Sequence, residues 1–371
     1  MQRFDVVIVG AGMAGASLAW ALAPRRRVLL IERETQPGYH STGRSVATLH
    51  SSYGNATIRA LTAASAPFYR QPPPDFAPTP LARPLGVLVL AREDQLDLLH
   101  EEIEYARTFV ATVETWDADR CFGRVPLLRR ERIAAAMYDP TLLDLDVAAI
   151  HAGFLRGARA KGVELRCSAE VLAAQPAGSG WRIGLSDGDI ACDTLVDAAG
   201  AWADSIAQIA GLEPLGITPL RRTALIVQAP GVDASWPMIG DITEEWYAKP
   251  DVGRLLCSPA DETPSQPCDA QPEELDVAIC VDRIENAFDL AIKRIESRWA
   301  GLRSFAPDRT PVAGFEPRSP GFFWLAGQGG YGIQTAPALA AISAALICEA
   351  PVPEELQAID QAPLSPQRLL S

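Results

Sequence analysis

Glycines at positions 10, 12 and 15, with a glutamate at 32, form a spacing able to hold an anionic dinucleotide. In Gly10-Ala11-Gly12-Met13-Ala14-Gly15, the first glycine allows a tight turn. The second lets a pyrophosphate approach the backbone, and the third lets helix and strand pack closely. The N-terminus of the helix that follows would offer N–H groups and a positive dipole end to phosphate. Glu32, with Arg33 beside it, stands where an acid can hold ribose hydroxyls. A lone glycine motif is a weak signal. Here residues 4–9 read as an apolar strand before it, residues 14–23 as an Ala-rich helix after it, and residues 28–31 as a second strand ending on Glu32.

A second glycine-rich turn lies far along the chain. Residues 321–326 read as a strand running into Gly327-Gln328-Gly329-Gly330-Tyr331-Gly332, and residues 336–347 as a helix beyond it. A nicotinamide enzyme of the common doubly wound type has no particular use for this late element. A flavin does, because a helix dipole aimed at its N1–C2=O edge stabilises the reduced ring. Between the two turns, Thr194, Leu195 and Val196 form an apolar strand into Asp197-Ala198-Ala199-Gly200-Ala201-Trp202, whose small residues would let backbone approach the cofactor.

These elements define an α/β (α+β) fold: a Rossmann-type FAD-binding domain with a discontinuous mixed-sheet substrate domain. The expected FAD-binding domain takes residues 1–75, 146–215 and 300–371, and the substrate-binding domain residues 76–145 and 216–299. The first insertion opens on Gln71-Pro72-Pro73-Pro74 and carries a strand over residues 86–91. The second carries strands over 223–227 and 254–257, a Pro-rich loop over 264–272 and a closing helix over 285–299. Strands from both insertions are expected to form one sheet over the flavin.

Composition narrows the partners. The 371 residues are 48% hydrophobic and 21% charged, which suits a large packed core, and the net charge of −13 argues against nucleic acid or an anionic membrane surface. The seven cysteines are scattered without a C-x-x-C, and the four histidines show no ligand spacing, so neither a metal site nor a disulfide framework is expected. A reducing, cytoplasmic location fits. The two Ala-rich stretches are too short to span a bilayer, and no signal peptide is visible.

The motifs resemble the D-amino-acid oxidase superfamily of flavoproteins. The residues that carry the likeness are Gly10 to Gly15, Glu32, His40-Ser41-Thr42-Gly43-Arg44-Ser45, Trp299-Ala300-Gly301-Leu302-Arg303 and Pro307-Asp308 with Pro311-Val312-Ala313-Gly314. Within the superfamily the chain looks most like bacterial FAD-dependent D-arginine dehydrogenase. The segments Gly38 to Ser45, Leu61-Thr62-Ala63-Ala64-Ser65 and Gln328 to Thr335 carry that likeness. The resemblance implies non-covalent FAD and oxidation of an amine next to a carboxylate. A hydride leaves Cα for flavin N5, and the imine hydrolyses to a 2-oxo acid and ammonia.

That chemistry needs a carboxylate clamp, and guanidinium forks match carboxylates. Arg303 and one of Arg221 and Arg222 are the candidates. Strand alternation puts the latter two on opposite faces, and the resemblance selects Arg222. Tyr53 and Tyr247 would close the pocket, with Tyr53 on a lid flanked by Ser51-Ser52 and Gly54-Asn55. Gly330 and Gln334 lie where a backbone carbonyl could orient the amine, although the glycines could equally serve packing. Met238 is either pocket wall or core, and Trp246 reads as core.

On the cofactor side, Ser41, Thr42, Arg44 and Ser45 suit the pyrophosphate and flavin edge, Arg44 supplying a fixed positive charge. The expected contacts continue through Ala47 and Thr48. Val171, Ala199, Gly200 and Trp202 would follow, then Gly329, Gly330, Tyr331, Gly332, Ile333, Gln334 and Thr335. His40 reads as packing within its loop.

Two departures from the arginine enzyme bear on substrate. Where that enzyme has an acid after an Arg-Pro pair, this chain has Arg83-Pro84-Leu85-Gly86-Val87-Leu88-Val89. A buried cationic side chain would lose its partner, so neutral or apolar D-amino acids are the expected substrates, unless Glu244 or Glu245 replaces the acid. The relative's histidine is Thr48 here, and its nearby threonine is His50. In an extended segment both point to one face, so His50 lines the pocket or sits on a surface loop. The alternatives are a secondary or cyclic amino acid, glycine or a 2-hydroxy acid as substrate. More remote are a nicotinamide dehydrogenase and a flavin-binding protein without catalysis. The electron acceptor, oxygen or a quinone or other carrier, is not specified by residue types.

Overall fold

The computed structural model describes residues 1–251 and 253–370. Val252 and Ser371, which fall in the expected segments 216–299 and 300–371, lie outside the described residues.

In the strand Gln2–Val9, the half Val6–Val9 is a continuous apolar run because it is covered on both faces and paired on both edges. Val28–Ile31 lies parallel to it on one side (Val7 opposite Leu29) and Gly188–Asp197 parallel on the other (Val7 opposite Leu195). Val6, Val7 and Ile8 are fully buried as a result. Phe322–Ala326 adds in parallel to Gly188–Asp197, and Val312–Phe315 runs antiparallel to it. This sheet has eight strands drawn from both ends and the middle of the chain. Helices Met13–Leu22, Val147–Ala160 and Ala336–Ile347 pack together on one face.

The second sheet has nine strands and joins the two insertions. Val87–Ala91 from the first pairs in parallel with Met238–Asp241 from the second, Val87 opposite Met238. The rest follows from these two: Ala135–Asp139 and Glu114–Asp117 on one side, Tyr247–Asp251, Arg254–Ser258 and Thr218–Gln228 on the other. A short third sheet (Thr48–Leu49, Leu143–Leu145, Ala82–Pro84) ties the segment after the first nucleotide turn to the substrate side.

The closing element differs from expectation. The helix runs Glu274–Ala287, and Ile295–Phe305 is a strand. The reason is tertiary. Ile295–Phe305 pairs antiparallel with nearly the whole of Thr218–Gln228, and that ladder outweighs a local helical pattern. The consequence for the site is large, because this strand carries Arg303. Among the described residues no helix is long and apolar enough to cross a membrane.

Candidate active site

Two adjoining cavities lie between the large sheets. The longer, about 350 Å³, is lined by Gly10, Gly12, Met13 and Ala14 of the first turn, by Glu32, Arg33, Ser41 and Thr42, and by Gly329, Gly330, Gly332 and Ile333 of the late turn. The shorter, about 200 Å³, lies under the second sheet. Both are lined by Ser45, Arg222, Tyr247, Arg303, Gly330 and Ile333, which mark their junction.

The nucleotide end is built as the glycine spacing requires. Gly10 has φ +98, and a Cβ there would stand 2.5 Å from the Ala198 carbonyl oxygen. A Cβ on Gly15 would stand 1.9 Å from the Gly10 oxygen. Glu32 accepts the Ala11 N–H at 3.0 Å and the Glu34 N–H at 3.0 Å, while still facing the cavity. Thr42 Oγ1 accepts the Met13 N–H at 2.9 Å, which spends one N–H of the helix start, and Ser41 Oγ donates to the Leu302 carbonyl at 2.6 Å. Val171, Ala199, Gly200 and Trp202 line the same cavity, with the Arg33 guanidinium 4.5 Å from the Trp202 ring centre.

Not every residue expected at the cofactor lines this cavity with a free polar group. Arg44 borders the cavity, but its guanidinium donates to the carbonyls of Ala270 (2.7 Å) and Ala300 (2.9 Å) and pairs with Asp269. Its charge is neutralised there and ties the 38–45 loop to the Arg303 strand. Ala11 and Gly15 lie beneath the turn and do not border the cavity. Ala47, Thr48 and Gln334 line the shorter cavity instead. Tyr331 packs on Tyr53 and Phe305, and Thr335 is fully buried, its Oγ1 donating to the Tyr331 carbonyl at 2.8 Å. Gly38, Leu302 and Gln328, quoted above only as parts of motifs, and Ser304, which no motif contains, also line the longer cavity. The wall fits a long polar ligand. His40 Nδ1, Ser304 Oγ and Gln328 Nε2 are buried with no partner among the described residues, and such atoms are costly unless something completes them.

At the junction the two neighbouring arginines on the Thr218–Gln228 strand part as alternation requires. Arg221 turns away to Glu273 and Asp276. Arg222 borders both cavities, giving Nε to the Asp261 carbonyl at 2.9 Å and Nη2 to Glu262 at 3.2 Å. Burial, with Arg303 close by, pulls the Arg222 guanidinium below its ordinary value, although it stays charged. Arg303 has neither a side-chain hydrogen bond nor an ion pair among the described residues and fronts both cavities. Two like charges held together, one of them unpartnered, call for an anion between or beside them.

The shorter cavity has an apolar wall of Val87, Val89, Met137, Met238, Ile242 and Trp246. Trp246 thus belongs both to core and to pocket. Thr48 and His50 both border the cavity. The His50 N–H donates to Gln334 Oε1 at 3.2 Å, its ring stacks on Tyr53 at 5.5 Å between centroids, and its Nε2 is buried without a partner. Burial, only partly offset by Asp139, pulls His50 down to about 4, so the ring is neutral at pH 7. Tyr53 is packed between His50 and Tyr331, and its hydroxyl donates to Glu244 at 3.1 Å. Burial, with Tyr331 and Glu244 nearby, pushes that phenol far up, so it stays a protonated donor.

Of the two acids that could replace the missing one, Glu244 borders the cavity and Glu245 does not line it, and Glu102 joins it. Arg83 is exposed and pairs with Asp144. Glu102 comes from helix Leu96–Arg107 and pairs with Arg59 at 3.3 Å. Burial pushes its carboxyl up, with Glu244 adding to the effect. Glu244 has φ +57, a conformation uncommon outside glycine. The buried Asp241 carboxylate imposes it by accepting the N–H groups of Glu245 (2.7 Å) and Trp246 (3.2 Å).

A dinucleotide groove opening onto a buried, arginine-lined cavity defines a flavin-linked oxidoreductase. The chain belongs to the FAD dependent oxidoreductase (DAO) family, whose pattern matches residues 5–346. Glycine oxidase of Geobacillus kaustophilus is 26% identical over 379 residues, covering 98% of this chain and 97% of that one. A crystal structure of the glycine oxidase from that organism superposes with a TM-score of 0.84 at 24% identity, 98% of each chain covered. FAD-dependent oxidoreductase domain-containing protein 1 of Bos taurus is 25% identical over 407 residues, 94% of this chain and 82% of that one. Iminodiacetate oxidase of Chelativorans sp. BNC1 shares the fold at TM-score 0.79 and 22% identity, with 98% and 99% covered. The motif likeness to D-arginine dehydrogenase is thus a family likeness, and glycine oxidase is among the relatives found.

Proposed function

We propose that this protein oxidises the C–N bond of a small amino acid, glycine or one bearing a secondary nitrogen, with non-covalent FAD as hydride acceptor. The guanidinium of Arg303, which fronts both cavities and has no partner among the described residues, supports the reading, since a free guanidinium suits a substrate carboxylate. Glycine oxidase and iminodiacetate oxidase, by their names, act on amines next to a carboxylate.

Arg303 and Arg222 hold the carboxylate, and Tyr247, bordering both cavities, closes over it. Tyr53 keeps water out from the lid side while its hydroxyl stays engaged by Glu244. FAD supplies the two-electron acceptor. The amine must be neutral when the hydride leaves. His50, held unprotonated, can accept a hydrogen bond from it without competing for charge, and the amine's extra proton can pass to water before Tyr53 and Tyr247 close the pocket. The fixed geometry supplies the rate through orientation.

The apolar wall of Val87, Val89, Met137 and Met238 favours a second reading, a D-amino acid with a small neutral side chain. Anaerobic bleaching of the bound flavin separates the two. Glycine, sarcosine, proline and iminodiacetate should bleach it faster than D-alanine, D-valine or D-arginine. The reverse order would select the D-amino-acid reading, and bleaching by 2-hydroxy acids alone would reject both.

A further inference from the structure

Two of the unpartnered atoms on the longer cavity's wall are neighbours. Ser304 follows Arg303 on the strand Ile295–Phe305, and Gln328 stands in the late glycine turn. A single antiparallel bridge between Phe305 and Gln328 joins the two segments, and the Gly329 N–H donates to the Ser304 carbonyl at 2.8 Å. Ser304 is 7% exposed. Ser304 and Gln328 both border this cavity, and their Oγ and Nε2 are buried with no partner among the described residues.

Their position along the cavity is informative. The cofactor's reacting ring must meet the substrate where the two cavities join, at Arg222, Arg303 and Gly330. Ser304 and Gln328 are a residue or two away in sequence from Arg303 and Gly330, and they border only the cofactor side. Neither side chain ionises, so neither serves as clamp or base. An amide nitrogen only donates, and a hydroxyl can donate. Two donors held without partners at the ring end match a ligand edge rich in acceptors.

We propose that Ser304 Oγ and Gln328 Nε2 hydrogen-bond the heteroatom edge of the isoalloxazine and make the flavin a better hydride acceptor. The physical reason is differential. The ring gains negative charge with the hydride, and a preorganised donor stabilises that charge more than it stabilises the oxidised ring. The inference rests on FAD as cofactor and is independent of which amine is the substrate.

The test uses the FAD-loaded enzyme without any amine. Sulfite adds reversibly to flavin N5 and reads the ring's electron demand, and dye equilibration gives the midpoint potential. Gln328→Met keeps the chain's length without the amide, and Ser304→Ala removes only the hydroxyl. Each should weaken sulfite binding by about tenfold, the size expected for one hydrogen bond to developing charge, and shift the potential to more negative values. Ser304→Thr, which keeps the hydroxyl, should restore wild-type sulfite affinity. Unchanged sulfite affinity and potential in both single variants would overturn the proposal. So would a loss of FAD affinity with the potential unmoved, because that result would assign the two side chains to the ribityl chain. Failure of every amine to bleach the flavin would reject the substrate reading and leave the sulfite result standing.

Discussion

Gly330 and Arg303 share one space: a Cβ on Gly330 would stand 3.0 Å from both Cζ and Nη1 of Arg303. That spacing is tighter than ordinary van der Waals contact, so the guanidinium lies flat against a backbone that has no side chain to offer. The late glycine turn therefore shapes the clamp as well as the cofactor groove. Gly330→Ala should displace the guanidinium by a few tenths of an ångström or more. We expect kcat/KM to fall by up to about 10²-fold, with the flavin spectrum and FAD content unchanged. Wild-type kinetics in this variant would show that Arg303 does not need its observed position.

The two clamp arginines should differ in what else they support. Arg303 makes no side-chain bond among the described residues, whereas Arg222 holds Asp261 and Glu262. Arg303→Leu should cost about 10²–10³-fold in kcat/KM while leaving Tm unchanged or raised, because a buried unpartnered charge is removed. Arg222→Leu should lower both activity and Tm. Equal thermal effects from the two would contradict this division.

Glu102 and Glu244 give the substrate cavity a surplus of negative charge, since among the described residues Glu102 pairs with Arg59 and Glu244 with no cation. Glu244→Gln and Glu102→Gln should each lower the rate with D-arginine relative to D-valine, by roughly tenfold if the pair faces the side chain. Comparing kcat/KM for the two substrates across the variants checks this. An unchanged ratio would mean that the carboxylates act only on Tyr53 and Arg59.

His50 predicts a pH dependence of stability. Burial takes its pKa from 6.5 down to about 4, so over that interval the unfolded chain binds a proton that the folded chain refuses. The contribution is intact above pH 6.5 and is lost as pH falls toward 4, to a total on the order of 3 kcal/mol. Between about pH 7 and about pH 4.5 the wild type should lose more Tm than His50→Gln, which has no proton to take up. Parallel Tm curves would place the imidazole in a wetter environment than its packing suggests.

Legibility in the sequence divides along local and distant determinants. The first turn was readable because Gly10, Gly15 and Glu32 answer to their own strand and helix. The late turn was readable for the same reason. Arg222 could be placed from pattern only as one of two alternating arginines, because what separates it from Arg221 is a helix some fifty residues on that carries Asp276. Arg44 borders the cavity as expected, but that its charge goes to Asp269, far along the chain, has no local signature. Glu102 and Glu244 reach the cavity from a helix face and a caged turn, neither of which leaves a spacing signature. The strand Ile295–Phe305 has helical local character and takes its form from the partner strand alone.

The parallel pairing of Val87–Ala91 with Met238–Asp241 has a temporal side. The roof of the substrate cavity closes across roughly 150 residues of chain, and the cofactor sheet still lacks Phe322–Ala326 when that closure becomes possible. During synthesis, neither sheet can be completed until most of the polypeptide has emerged. The apolar strand of the first insertion must therefore wait beside the ribosome with an open edge. Long waiting times of this kind favour slow maturation and dependence on chaperones, with yellow, cofactor-loaded protein appearing late.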